Sequence, residues 1–184
     1  MSTTSKLTGK HIYLRPLELK DAALMAHSIN NDEEGRRLTG THKVFTETDI
    51  ERAIEAFSQD PSRVDFGIVR REDDRLIGDI VLNEISAINR DAGMRVALFD
   101  KFTGKGHGTE AIQLMLEYGF GILNLHRVDL EVYSINPRAI HVYEKIGFKK
   151  EGVKRQNWYY NHEYYDTVLM SILEDEYRER YVEQ

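Results

Sequence analysis

The run Gly104-Lys105-Gly106-His107-Gly108-Thr109 is where this sequence first shows chemistry. Glycine at every second position lets the backbone turn sharply and approach a ligand with no Cβ in the way. The residues that follow have helical spacing. A helix opening straight after such a loop turns its unpaired N–H groups and the positive end of its dipole toward it. That combination suits a diphosphate. Taken alone, a tight strand-to-helix turn explains it too. The dinucleotide pattern Gly-x-Gly-x-x-Gly fails, because Thr109 holds the third glycine's place. The Walker pattern fails as well, because no Gly-Lys-Ser/Thr closes the loop.

A second block runs Asn136-Pro137-Arg138-Ala139-Ile140-His141-Val142-Tyr143-Glu144-Lys145-Ile146-Gly147-Phe148. Pro137 suits the first turn of a helix and Gly147 its left-handed stop. Asn136 fits the N-cap before that helix. Tyr143 lies two turns along, on the face shared by Asn136 and Ile140. A phenol of pKa about 10 can protonate a departing thiolate whose conjugate acid is near 8.5. From the residues alone, Tyr143 reads more plainly as a packed aromatic with a satisfied hydroxyl.

The elements that must hold these two blocks alternate between strand and helix. His11–Pro16 reads as a strand and Leu19 to about Ile29 as a helix, stopped by Asn30-Asn31-Asp32. Residues 32–45 read as a loop or irregular turns. Thr46 is an expected N-cap for a helix over 47–59, with Ile50, Ala53, Ile54 and Phe57 on one face. Residues 66–70 and 76–82 flank the charged turn Glu72-Asp73-Asp74 and form a hairpin, and 91–99 adds a third antiparallel strand. Residues 107–123 form the clearest helix, with Ala111, Leu114, Met115, Tyr118 and Ile122 on one face. Strands follow at 128–133, 148–151, near Trp158, and 166–173, with a helical turn or two over 174–181. Hairpins exclude a purely doubly wound sheet. The economical solution is α/β: one domain over residues 8–175, a mixed twisted sheet of six to seven strands with helices on both faces.

Composition narrows the function classes. The 184 residues carry a formal charge of -6, no cysteine and 41% hydrophobic residues. Mean hydropathy is -0.52 and the pI about 5.7. Without cysteine, disulfides, thiolate metal sites and cysteine nucleophiles are excluded. The seven histidines show no metal-binding spacing, so no metal is expected. An acidic balance disfavours nucleic acid. No apolar run approaches the ~20 residues that span a bilayer, and Met1–Lys6 lacks the apolar core of a secretory leader. A cytoplasmic protein is expected. Mild acidity suits a cationic small molecule or basic peptide, and equally serves solubility.

The element order and the two blocks resemble the GCN5-related N-acetyltransferase (GNAT) superfamily, in particular its ribosomal-protein N-terminal and spermidine acetyltransferase branch. The resemblance rests on Thr103 to Ala111, matching the signature (Arg/Gln)-x-x-Gly-x-(Gly/Ala), and on Glu131 to Phe148. A softer match runs from Glu163 to Met170. Thr103 departs from the family's Arg or Gln, with Lys105 as the compensating cation. The resemblance implies an acetyl-CoA-dependent N-acetyltransferase working by direct transfer, on a protein N-terminus, a polyamine or another small amine. It also implies a homodimer, common in that branch.

By the same resemblance, the backbone of residues 104–109 holds the cofactor diphosphate, His107 through its backbone more than its ring. The strand end at Leu98 and Phe99 splays from 128–133 and opens its backbone to the pantetheine arm. The Leu98 N–H meets the developing oxyanion, Asn136 anchors the pantetheine while also fitting a cap, and Tyr143 becomes the general acid. Glu84 is the candidate base, or a solvent-facing strand carboxylate. Asp166 matches a recurrent family position, though fixing a turn explains it equally. The acidic residues 32–34 either greet a cationic acceptor or form a solvated loop. Trp158, Tyr159 and Tyr160 form an aromatic cluster suited to core or dimer packing, with a wall of the acceptor site as the alternative. Two other classes compete: a catalytically silent acyl-CoA-binding module, and a nucleotide-binding phosphotransferase.

Overall fold

The computed structural model describes residues 7–183; the stretch read for a leader, Met1–Lys6, lies outside them. The chain runs β1 (Leu7–Thr8), β2 (Ile12–Pro16), a 3-10 turn (Leu19–Asp21), α1 (Ala22–Asn31), α2 (Glu33–Thr39) and α3 (Glu47–Ser58). It continues through β3 (Val64–Arg70), β4 (Arg75–Ser86), β5 (Asp91–Leu98), a second 3-10 turn (Asp100–Phe102) and α4 (His107–Gly121). It closes with β6 (Arg127–Tyr133), α5 (Pro137–Ile146), β7 (Lys149–Tyr160), β8 (Glu163–Leu173) and α6 (Glu174–Tyr181).

Eight strands form one sheet in the order β1-β2-β3-β4-β5-β6-β8-β7. The expected six to seven strands omit β1, whose two residues are too short to leave a periodic signal. The stretches expected at 148–151 and near Trp158 are one continuous strand, β7. All neighbours pair antiparallel except β5 and β6. The alternation read in β6 places Val128, Leu130 and Val132 inward.

Two cores lie on the sheet. The larger gathers Ile80, Leu82, Met115, Leu116, Val128, Ile146 and Met170 beneath α4 and α5. The smaller packs α1 and α3, through Ala22, Met25, Ile50 and Ile54, against Val69 and Leu76. Two helix openings show how the elements are secured. In α3, Thr46 and Asp49 form the reciprocal cap that satisfies two otherwise unpaired amides. Glu110, in the first turn of α4, accepts the His11 N–H at 2.9 Å and ties this helix to the β1–β2 turn.

The expected loop over 32–45 contains a helix, α2. It has no apolar periodicity, since Leu38 is its one large apolar residue. Its ends hold it instead. Asp32 Oδ1 accepts the Gly35 N–H at 2.7 Å, and Gly40 closes the helix in the left-handed region at φ 73°. The chain after it is strapped down from both sides. Arg36 donates to the His42 and Lys43 carbonyls, and Asn30 bonds both backbone groups of Phe45.

The feature that positions everything else is a parting of the sheet. β5 and β6 are in register only from Asp91–Gly93 to Arg127–Asp129. Beyond Gly93 the two strands diverge, and the gap opens toward the end of β5 and the start of α4.

Candidate active site

A cleft of about 560 Å³ fills that gap. Its walls come from the end of β5 (Val96, Ala97, Leu98), the glycine loop and α4, one face of α5 from Pro137 to Tyr143, and α2. A shallower basin of about 750 Å³ adjoins it beside α2 and the β7–β8 turn. That basin contains neither the glycine loop nor the parted strands. Glu34 borders both spaces.

The glycine loop has the geometry its sequence calls for. Gly104 and Gly106 take φ of 74° and 85°, a region that an L side chain enters only at a cost. Gly106 is the N-cap of α4, and its carbonyl accepts the Glu110 N–H at 3.1 Å. A Cβ on Gly106 would meet nothing within 4 Å, so the loop faces open space. Gly104, Gly106, Gly108 and Thr109 line the cleft. Lys105 and His107 do not. The Lys105 ammonium lies 5.9 Å from the Phe102 ring centroid. The His107 ring is buried, with Nδ1 lacking a hydrogen-bond partner among the described residues. What His107 can offer a ligand is its backbone amide, at the open end of α4. The Lys105 side chain, expected to compensate for Thr103, thus stands outside the cleft lining.

Strand register decides where Leu98 points. Gly78 stands opposite Leu98, and Asp79 opposite Ala97. The Phe99 N–H donates to the Ile77 carbonyl at 2.9 Å, so Ile77 and Phe99 are a hydrogen-bonded pair. Antiparallel pairs alternate, which makes Gly78–Leu98 a non-bonded pair. The N–H and C=O of Leu98 therefore point away from β4, into the parting. The same bond removes Phe99 from the cofactor set: its amide is engaged by Ile77, and its side chain packs against the two cores instead of lining the cleft. Gly78 permits this arrangement, because a Cβ there would collide with the Ala97 carbonyl and lie 2.9 Å from the Leu98 Cα.

α5 supplies the facing wall. Asn136 Oδ1 accepts the Ala139 N–H at 3.1 Å, so the N-cap reading holds, and the residue also borders the cleft. Tyr143 lines the cleft and rests edge-on against Phe148, with ring centroids 5.7 Å apart. Burial pushes its phenol up to about 12, which keeps it protonated across the physiological range.

Glu84 is not brought to this site. It is exposed, at φ 53° in an irregularity between Asn83 and Ser86, and does not line the cleft. Gly78, the residue opposite Leu98, lies six positions away on the same strand. At about 3.3 Å per residue that is roughly 20 Å. Asp166 fixes local structure: Oδ1 accepts the Gln156 N–H at 2.8 Å and its carbonyl the Ser134 N–H at 2.9 Å.

The third wall comes from α2 and its cap: the sequence reading weighs the acidic residues 32–34 for a cationic acceptor but expects a loop there, not a helix. Asp32, Glu34, Gly35, Leu38 and Thr39 all face the cleft. The signal was present as an acidic residue three positions before a glycine, the spacing of a cap. Gly35 has no room for a side chain, since a Cβ would collide with the Asp32 carboxylate. The aromatic cluster supports this wall from below. Trp158 stacks on Tyr133 at 4.5 Å between centroids, and a Cβ on Gly40 would lie 2.5 Å from the Trp158 ring. His42 packs against Trp158 and Tyr160.

A parted mixed sheet, a glycine loop opening α4 and a cleft between them define a class. Residues 11–149 match the acetyltransferase (GNAT) domain family, and the chain belongs to it. It is 32% identical over 172 residues to the spermidine N(1)-acetyltransferase of Vibrio cholerae, covering 94% of this chain and 98% of that one. A probable N-acetyltransferase of Bacillus subtilis, YjcK, is 35% identical over 180 residues, covering 91% of this chain and 96% of its own. Among solved structures, spermidine N-acetyltransferase from Vibrio cholerae in complex with CoA and spermine superposes with a TM-score of 0.85 at 30% identity, covering 92% of this chain and 99% of that one. The chain is accordingly an acetyl-CoA-dependent N-acetyltransferase. No helix among the described residues is long and apolar enough to cross a membrane.

Proposed function

We propose that this chain transfers the acetyl group of acetyl-CoA to a primary amine of a polyamine, by direct transfer within a ternary complex, in one domain over residues 8–175. The observation that carries this reading is the polarity of the cleft. The amides of the glycine loop open on one end, and the carboxylates Asp32 and Glu34 line another wall. The first suits a diphosphate and the second a polycation. The names of the relatives support the same acceptor class, and the neighbour of known structure holds CoA and spermine.

In this reading the amides of residues 104–109 hold the diphosphate, and the backbone of Leu98 meets the thioester carbonyl in the parted sheet. Asn136, committed through Oδ1 to its cap, keeps its Nδ2 as a donor for the pantetheine arm. The amine lone pair attacks the carbonyl carbon, and the oxyanion forms against the Leu98 N–H. On collapse the C–S bond breaks and the sulfur takes the proton of Tyr143. The nitrogen, cationic after attack, loses a proton to water in the open cleft, and the Tyr143 phenolate takes a proton back from that water, which restores the acid. No base is assigned to Glu84.

The test is CoA release from acetyl-CoA with spermidine, spermine, a peptide with a free N-terminus and a panel of amino acids. Polyamines should give the highest kcat/KM. Preference for the peptide would move the acceptor class. Binding of acetyl-CoA with no release by any amine would make the chain a silent acyl-CoA-binding module.

A further inference from the structure

The cradle's cation comes from the opposite helix. We propose that Arg138 clamps the diphosphate of acetyl-CoA against the amides of residues 104–109, an inference that rests on the acetyl-CoA reading above. Arg138 is the second residue of α5, yet its Nη2 lies 3.4 Å, and its Cζ 3.9 Å, from where a Cβ on Gly104 would sit. The guanidinium thus crosses the cleft and stands directly beside the loop. It is the one cationic side chain lining the cleft among the described residues. Lys105, inside the loop itself, lies near the Phe102 ring and leaves the space to Arg138.

The electrostatics call for an anion here. Three positive features meet: the open N-terminus of α4, the N-terminus of α5, and the guanidinium. Positive charge at a helix N-terminus opposes the helix dipole. Four helices, α2, α3, α4 and α6, carry acidic residues in their first turn, Glu110 of α4 being engaged by the His11 N–H, and α1 carries none. α5 also carries none, and has Arg138 in their place. No described carboxylate lies within 4 Å of Arg138 to compensate it. A diphosphate between the loop and the guanidinium relieves all three, and the planar fork of an Arg matches two phosphate oxygens at once. The same bridge ties α4 to α5, so the donor would join the glycine loop to the helix that carries Tyr143.

The experiment compares wild type, Arg138→Gln and Arg138→Lys with three acetyl donors: acetyl-CoA, its 3′-dephospho form, and acetyl-pantetheine, which lacks every phosphate. For Arg138→Gln we expect KM for acetyl-CoA to rise about 10-fold or more with kcat within twofold, the same loss with the dephospho donor, and less than a twofold change in kcat/KM with acetyl-pantetheine. Arg138→Lys should recover part of the loss, because it keeps the charge and loses the fork. An unchanged KM for acetyl-CoA overturns the clamp. So does an equal loss with acetyl-pantetheine, which would mark a structural role. A loss that vanishes with the dephospho donor overturns the diphosphate assignment in favour of the ribose phosphate. Wild type is the control: if it binds no acetyl-CoA, the enzyme reading itself fails.

Discussion

The two ends of the cleft are built from different material. The α4 end is backbone: glycines at positive φ, an open helix terminus, and a strand whose register aims the Leu98 amide into the parting. The α2 end is side chain: Asp32, which caps α2, and Glu34, within that seven-residue helix, which is held by its caps and by straps from Arg36 and Asn30. Backbone sites bind what every donor of the reaction shares. Side-chain sites discriminate among acceptors and can change while the fold persists. A donor site that tolerates no side chain at Gly104 and Gly106, the two loop glycines at positive φ, beside an acceptor wall that tolerates many, is the expected consequence.

The largest effect should follow from damage to the backbone end. Gly106→Val places a β-branched side chain at φ 85° and in the open mouth of the loop, and should weaken acetyl-CoA binding about 100-fold by calorimetry. The strain at this φ should also lower the melting temperature by a few degrees, while the fold persists because no Cβ clash is added. Retained binding would remove the loop from the site.

Next comes the chemistry on the α5 wall. Tyr143→Phe should lower kcat about 100-fold and leave KM for acetyl-CoA within threefold. The pH profile gives a second check. Burial holds the phenol near 12, above its ordinary value, so the acid stays protonated as pH rises to 10. The acceptor amine, of pKa about 10, loses its proton over the same range. The wild-type rate should therefore climb from pH 7 toward 10 without an alkaline fall. A descending limb near pH 8 would give the acid role to another group.

At the side-chain end the effects should be smaller and salt-dependent. Glu34 is mostly exposed and sits 3.9 Å from Arg37, so its attraction for a cation is screened. Glu34→Gln should raise KM for spermidine about 3-fold at low salt, less at high salt, with KM for acetyl-CoA unchanged. A rise in the donor's KM would erase the division between the two ends. Smallest of all is Glu84→Gln, expected within twofold of wild type in every kinetic constant, because Glu84 stands outside the cleft. A 10-fold loss of kcat would restore it as the base.

The same division explains what was legible in the sequence. The glycine loop, Thr46 as a cap, and the stop at Gly147 are statements about backbone conformation, which residue type constrains directly. β6 and α4 could be read because one buried face imposes a period on each. α2 could not, because a helix fixed by caps and straps leaves no apolar period; its contact with the cleft depends on Asn30 and Arg36 bonding to carbonyls and amides many residues away. Glu84 misled for a related reason. Being on β4 says nothing about which end of β4 meets the parting, and that is set by where β5 leaves β6. Phe99 and Lys105 lie beside true lining residues in the chain but turn elsewhere: one by alternation along a strand, the other toward Phe102.

The grip of backbone amides on the donor can be watched directly by titrating CoA into ¹⁵N-labelled protein and following each amide. The largest shifts should fall on Gly104 through Thr109 and on Leu98, with Glu84 and the turn at Glu72–Asp74 unmoved. Saturable CoA binding that leaves the 104–109 amides in place, or that moves the α2 amides instead, would contradict the site described above.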